Sequence, residues 1–236
     1  MDFISSLIVS ENEFYITIFV VVLVLLSYFL IPNFKRIKAI SNKIGNTKTI
    51  LFTRILGFSL FGIIPVLTVY IFSENNISSF GIQISNIYKS LCWIIPLSPI
   101  LIIVTYFNSK QKDNLSVYPQ IRKSNWTSKL LAISMSTWVL YLLAYEFLFR
   151  GYLLLISITF LGIWPAVILN IIIYSLAHIP KGTKETVMAI PFGLVIALSV
   201  IHTGNIWVAV ILHSILALSG EWFSLKAHPE MKFVKE

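Results

Sequence analysis

An all-α, polytopic transmembrane bundle of seven to eight spanning segments is the fold the sequence predicts, on three observations. Apolar residues make up 57% of the 236 positions and charged ones only 12%, against about 25% charged in a soluble domain. The apolar residues come in runs of about 17 or more, the length that crosses hydrocarbon as a helix. All but Arg150 of the 18 Lys and Arg residues, which with 10 Asp and Glu give a net charge of +8, sit in the short segments between or after those runs. That placement marks membrane topology and argues against a nucleic-acid partner. Cys92 is the only cysteine, so no disulfide framework or thiolate metal site forms within one chain.

Residues 1–14 carry Asp2, Glu11 and Glu13 and no basic residue. No basic n-region with a small-residue cleavage site precedes the first apolar run, so that run is expected to persist in the mature protein. The first span is expected over residues 15–31. Lys35, Arg36, Lys38, Lys43, Lys48 and Arg54 follow, and the positive-inside rule puts them in the cytoplasm with the N-terminus outside. Residues 55–72 form the second span, with a kink at Pro65, and a Ser/Asn-rich outer loop covers 73–87. The third span, about 90–107, contains Pro96 and Pro99. Residues 108–129 are basic again. The apolar run from Leu130 to Gly162 exceeds one simple span. Either it crosses and ends near Arg150 with an outer stub, or residues 128–138 lie at the inner interface. Trp138 favours the second, since tryptophan prefers headgroup level.

Three more spans are expected at 164–179, 186–202 and 207–225. The first stops at Pro180, and His202–Asn205 reads as a tight turn between the other two. Lys226, Lys232 and Lys235 mark a cytoplasmic tail. The organisation expected is an N-terminal set of three spans (1–127), a core (128–225) and a tail (226–236). Asn- and Ile-rich usage suggests an AT-rich bacterial genome, hence a bacterial cell membrane.

Between Leu130 and Pro180 only Glu146 and Arg150 are charged. Each costs about 2.5–3.5 kcal/mol to insert at membrane depth, so the pair signals a buried site. Four residues apart, they share one helix face and pair. Asn170, Tyr174 and His178 line one face of the next span, and His213 lies within the last. At 1.5 Å of rise per residue, Glu146 is about 12 Å from Trp138 and His213 about 13 Å from Trp222. His178 is about 5–9 Å from Lys181 and Lys184. The three therefore share the cytoplasmic half of the membrane if residues 128–138 are interfacial. A buried carboxylate beside two imidazoles deprotonates water and stabilises an oxyanion. It equally suits a divalent cation such as Zn held through His178 and His213. The blander alternatives are a Glu–Arg pair that locks the bundle and histidines that only pack. His202 and His228 receive no role, Glu221 reads as a solvated helix end beside Trp222, and Tyr174 as a packing aromatic.

The run Glu146-Phe-Leu-Phe-Arg150-Gly151, then Tyr174-Ser-Leu-Ala-His178, then His213, resembles the CPBP family over about residues 128–225. These are the CAAX-protease and bacteriocin-processing (Abi) intramembrane proteases, related to the type II CAAX prenyl endopeptidase. Their motifs are Glu-Glu-x-x-x-Arg, Phe-x-x-x-His and His-x-x-x-Asn. The resemblance implies a cavity open to the cytoplasm in which a glutamate and a histidine activate water to cut a peptide bond. The motifs leave the metal question open. Here Tyr145 replaces the first glutamate and Ala217 the asparagine. The resemblance then makes Glu146, Arg150, His178 and His213 the expected catalytic set. Asn170 stands in for the missing amide and, with Tyr174, faces the substrate. The substrate implied is a membrane-associated peptide or protein in the lipid bilayer. The departures at Tyr145 and Ala217 support a second expectation: a degenerate member acting as a membrane-embedded binding or bacteriocin-immunity protein. A small transporter is disfavoured by the lack of an inverted repeat.

Overall fold

The structure is a computed structural model that describes residues 7–35, 37–38 and 45–234. Expectations placed on Asp2, Arg36, Lys43 and Lys235 fall outside them. Among the described residues seven helices are long and apolar enough to cross a membrane: α1 Glu11–Asn33, α2 Asn46–Phe72, α3 Ile87–Asn108, α4 Ser128–Leu161, α5 Ile163–Lys181, α6 Thr183–Thr203 and α7 Trp207–Ala227. The all-α expectation holds apart from one pair of two-residue parallel strands, β1 Asn125–Trp126 and β2 Lys232–Phe233.

Local chemistry explains the helix ends. Ser10 caps α1 by accepting the Glu13 N–H, and Glu11 and Glu13 oppose the helix dipole. Pro65 does not break α2. A π-helical stretch, Ser59–Ile63, precedes it and absorbs the irregularity, so the helix continues to Phe72. Thr127 caps α4 through the Leu130 N–H. Gly162, at φ 84°, ends α4 and starts α5 in one residue, a backbone angle glycine adopts without penalty.

The long apolar run is not divided. It forms one 34-residue helix, α4, and 78% of its most apolar stretch is buried, against 11–44% for the other six. Residues 144–158 of α4 are all buried, so a charge on that stretch is enclosed by protein, whereas Ile133 and Leu140 nearer its start are exposed. The outer faces of the other helices present large apolar side chains such as Phe19, Tyr70, Ile95, Phe107 and Ile172, as lipid-facing surface requires. Residues 128–138 lie at the end of the bundle that carries the basic segments, which fits the second reading of this run. Trp138, however, is not a headgroup anchor. It is 4% exposed, stacked on Tyr118 at 6.1 Å, with the Arg54 guanidinium 4.5 Å above its ring.

Both ends of the bundle are tied. At one, Asn205 Nδ2 donates to the Ser85 carbonyl at 2.7 Å, Asn86 Nδ2 to the Thr203 carbonyl at 2.9 Å and Trp207 Nε1 to the Ile82 carbonyl at 2.8 Å. Helix α6 runs on through His202, whose Nδ1 accepts from Trp93 Nε1 at 2.9 Å, so the turn begins only at Gly204. At the basic end the strand pair joins the 109–127 segment to the tail, with Lys232 N donating to the Ser124 carbonyl at 2.8 Å.

Gly151 lies where α4 passes the 3₁₀ turn Ile77–Phe80. A Cβ there would stand 2.6 Å from the Phe80 carbonyl oxygen and 2.9 Å from the Phe147 ring. Gly151→Ala is expected to lower stability by about 1–3 kcal/mol through this overpacking. Thermal unfolding in detergent measures it, and an unchanged midpoint would refute the close approach.

Candidate functional site

Glu146 is the last residue before a π-helical stretch of α4, Phe147–Leu154. Single π-turns occur often at functional sites because they widen the helix and re-aim side chains. Here the stretch still leaves Arg150 within reach: its Nε donates to Glu146 Oε2 at 3.2 Å. From α7, His213 Nδ1 lies 2.5 Å from Glu146 Oε1. Each carboxylate oxygen thus has one charged or ionisable partner, as a desolvated carboxylate needs.

Arg150 is held from two more directions. Its Nη1 donates to Asn170 Oδ1 on α5, and the other end of that amide, Nδ2, donates to the Phe149 carbonyl at 2.7 Å. The guanidinium carbon stands 4.5 Å from the centre of the Tyr174 ring, a cation–π contact. Gly193 of α6 leaves the room for this stack, since a Cβ there would lie 3.0 Å from the Tyr174 ring and 3.8 Å from Arg150 Nη2. Nη2 itself is buried without a hydrogen-bond partner.

His178 sits one turn beyond Tyr174, with Nδ1 2.8 Å from the Tyr174 carbonyl. A carbonyl only accepts, so Nδ1 carries the hydrogen and Nε2 keeps its lone pair. The same reasoning applies to His213, whose Nδ1–H faces a carboxylate. The ring of Tyr145 lies edge-on to both, its centroid 6.2 Å from His178 and 5.7 Å from His213.

All six residues singled out in the sequence therefore converge. Glu146, Arg150 and Asn170 are wholly enclosed and Tyr174 nearly so, while His178 and His213 keep 7% and 6% exposure. Asn170 has both ends of its amide committed within this network, so it supports the ion pair. Adjacent in sequence, Tyr145 and Glu146 diverge: the Tyr145 ring packs against both imidazoles while Glu146 meets Arg150 and His213. Among the described residues no three His, Cys, Asp or Glu side chains form a metal-holding group. His178 and His213 supply two imidazoles, and both oxygens of Glu146 are engaged, so this donor set falls short of the usual three protein ligands.

Glu221 corrects the sequence reading. It is not a solvated helix end but 1% exposed. It accepts from the Gln120 N–H at 3.1 Å and from Ser134 Oγ at 3.5 Å, and stands 3.9 Å from Arg54 Nη2. Arg54 in turn donates to the Ser134 carbonyl at 2.7 Å and to Gln120 Oε1 at 3.0 Å. This second buried charge pair escapes a reading by sequence because Arg54 ends the basic 35–54 segment and Glu221 stands shortly before Lys226 and the basic tail, positions that read as solvated. The role of Gly193 left no signal in composition or spacing.

Residues 126–219 match the family described as Type II CAAX prenyl endopeptidase Rce1-like. That window contains every residue of the Glu146 network. No curated protein and no solved structure matches the chain.

The network makes a stability prediction. Arg150→Met strands a buried carboxylate and is expected to cost about 3–5 kcal/mol. Adding Glu146→Gln removes the stranded charge and should restore part of that loss. Unfolding midpoints of the two single variants and the double variant in detergent test this, and a strictly additive double variant would sink it.

Proposed function

Through residues 126–219 the chain belongs to the CPBP (CAAX protease) family of intramembrane proteases, and on that premise we propose that it is an intramembrane endopeptidase acting at the Glu146–His213 pair. The observation that carries this reading is the 2.5 Å contact between His213 Nδ1 and Glu146 Oε1, made inside apolar protein by residues 67 apart in sequence.

In this reading the base is His213, the imidazole that Glu146 holds, instead of Glu146 itself. With both Glu146 oxygens engaged, the free lone pair is His213 Nε2. In this mechanism Nε2 takes a proton from water, and the hydroxide adds to the scissile carbonyl. Glu146 fixes the His213 tautomer and stabilises the imidazolium as it forms. Arg150 holds Glu146 in place through its Nε. The donors left near the reacting carbon are the unpartnered Nη2 of Arg150 and the Tyr145 hydroxyl. Either suits the oxyanion, because preorganised donors in a dry site act most strongly on developing charge. The imidazolium then returns its proton to the leaving amine, and the bond breaks. His178 Nε2 accepts from the attacking water and orients it. No step is routed through a metal, since the donor set falls short.

The substrate in this reading is a membrane-associated peptide or protein, reached in the bilayer of a bacterial cell with the basic end of the bundle facing the cytoplasm. Tyr145 and Ala217 support a second reading, a catalytically silent member that binds a peptide as an immunity protein does.

Peptide termini in membranes of host cells carrying wild type or Glu146→Gln at matched levels discriminate the two. Cleavage is expected to fall about 10²–10⁴-fold in Glu146→Gln, the usual worth of general acid–base catalysis. Identical termini in both would remove the protease reading and leave the binding one.

A further inference from the structure

A cavity of about 280 Å³ opens at the basic end of the bundle, between α1, α2, α4, the last turn of α5 and the 109–127 segment. Among the described residues its wall carries two cations, Arg54 and Lys181, and no carboxylate. Thr53 and Gln120 add polar edges, while Tyr28, Trp138 and Tyr141 supply aromatic surface and Ile50 and Val117 aliphatic surface. It is separate from the Glu146 network, with the Tyr141 and Tyr145 rings (centroids 5.8 Å apart) lying between them.

The cations differ in what they have left to give. Arg54 is 3% exposed, and its terminal nitrogens are committed to Ser134, Thr137, Gln120 and Glu221. Its Nε–H is buried without a partner. A guanidinium donor taken from water and left unpaired is a cost the fold carries until an acceptor arrives. Lys181 keeps a side chain 35% exposed and only a loose pairing, 3.9 Å, with Glu185. The site thus offers one fixed donor and one mobile ammonium, and the carboxylates that pair loosely with the two cations, Glu221 and Glu185, stand outside its lining.

We propose that this cavity binds the phosphodiester headgroup of an anionic phospholipid. The chemistry that fits is a monoanionic group with several acceptor oxygens, carried on a body that is partly apolar. A phosphodiester satisfies the Arg54 Nε–H and the Lys181 ammonium together, and its glycerol backbone lies along Tyr28, Ile50 and Val117. Location selects the lipid source of that phosphate. The cavity opens beside the lipid-facing surfaces of α1 and α2 at the level of the basic segments, where basic pockets between spanning helices meet headgroups. Trp138 and the two tyrosines sit at this depth as amphipathic walls.

The test titrates purified full-length protein in neutral detergent with phosphatidylglycerol, phosphatidylcholine or inorganic phosphate, following the thermal midpoint. Phosphatidylglycerol is expected to raise it and the other two to leave it nearly unchanged. Lys181→Gln, half-exposed and outside the buried network, should weaken the phosphatidylglycerol response about tenfold in midpoint concentration, the loss of one charge-assisted hydrogen bond. Lys129→Gln removes an exposed charge outside the cavity and should respond as wild type. An equal response to phosphatidylcholine overturns the proposal, as does an equal shift with inorganic phosphate, which would make the occupant a free anion. Identical responses of Lys181→Gln and Lys129→Gln also overturn it, since the charge would then act from anywhere on the surface. Should Lys181→Gln fail to fold, Lys181→Met removes the ammonium while keeping the apolar stem, and must show the same loss.

Discussion

A carboxylate with no access to water must be neutralised by protein, and that requirement organises this molecule. Glu146 is met on one oxygen by Arg150 and on the other by His213. Arg150 then needs acceptors of its own, which brings in Asn170 from α5 and the face of Tyr174. Three helices are drawn together by one buried charge, and a fourth, α6, contributes a glycine where a side chain would obstruct the stack. Breaking such a network is costly in low dielectric, while keeping it is close to neutral against apolar packing. Its persistence at the centre of the bundle is better explained by what the groups do than by what they add to stability.

The Arg54–Glu221 pair repeats this logic nearer the basic end. There the charges close the space between α2, α4 and α7 and fix the 109–127 segment through Gln120. The two networks differ in their spare capacity. In the first both carboxylate oxygens are engaged while two imidazoles keep free lone pairs; in the second a cation keeps a free donor. That difference is why the first suits proton transfer and the second suits holding an anion.

Much of this was legible in the chain because membranes impose simple rules. Apolar run length fixed the number and order of helices, and two charges in fifty apolar residues marked the site. Counting helical rise put Glu146 and His213 at matching depths before any contact was known. What escaped was the information that composition does not carry. Glu221 and Arg54 are buried but fall at the margins of the basic segments in sequence. Trp138 is an amphipathic residue that turned inward to Arg54 and Tyr118 instead of outward to headgroups. The π-helical stretch at Phe147–Leu154 has no residue signature, yet it sets how Glu146 and Arg150 face each other.

The undivided α4 has a consequence for how the protein sits in lipid. Its 34 residues would extend about 50 Å at ordinary helical rise, against a hydrocarbon core of about 30 Å. The excess is taken up by tilt, by burial of the ends in protein and by local deformation of the bilayer. The depth of Glu146 below the headgroups is therefore not a property of the protein alone. A thicker or thinner membrane moves the surface relative to the site, and with it the length of chain that a membrane-borne partner must thread to reach His213.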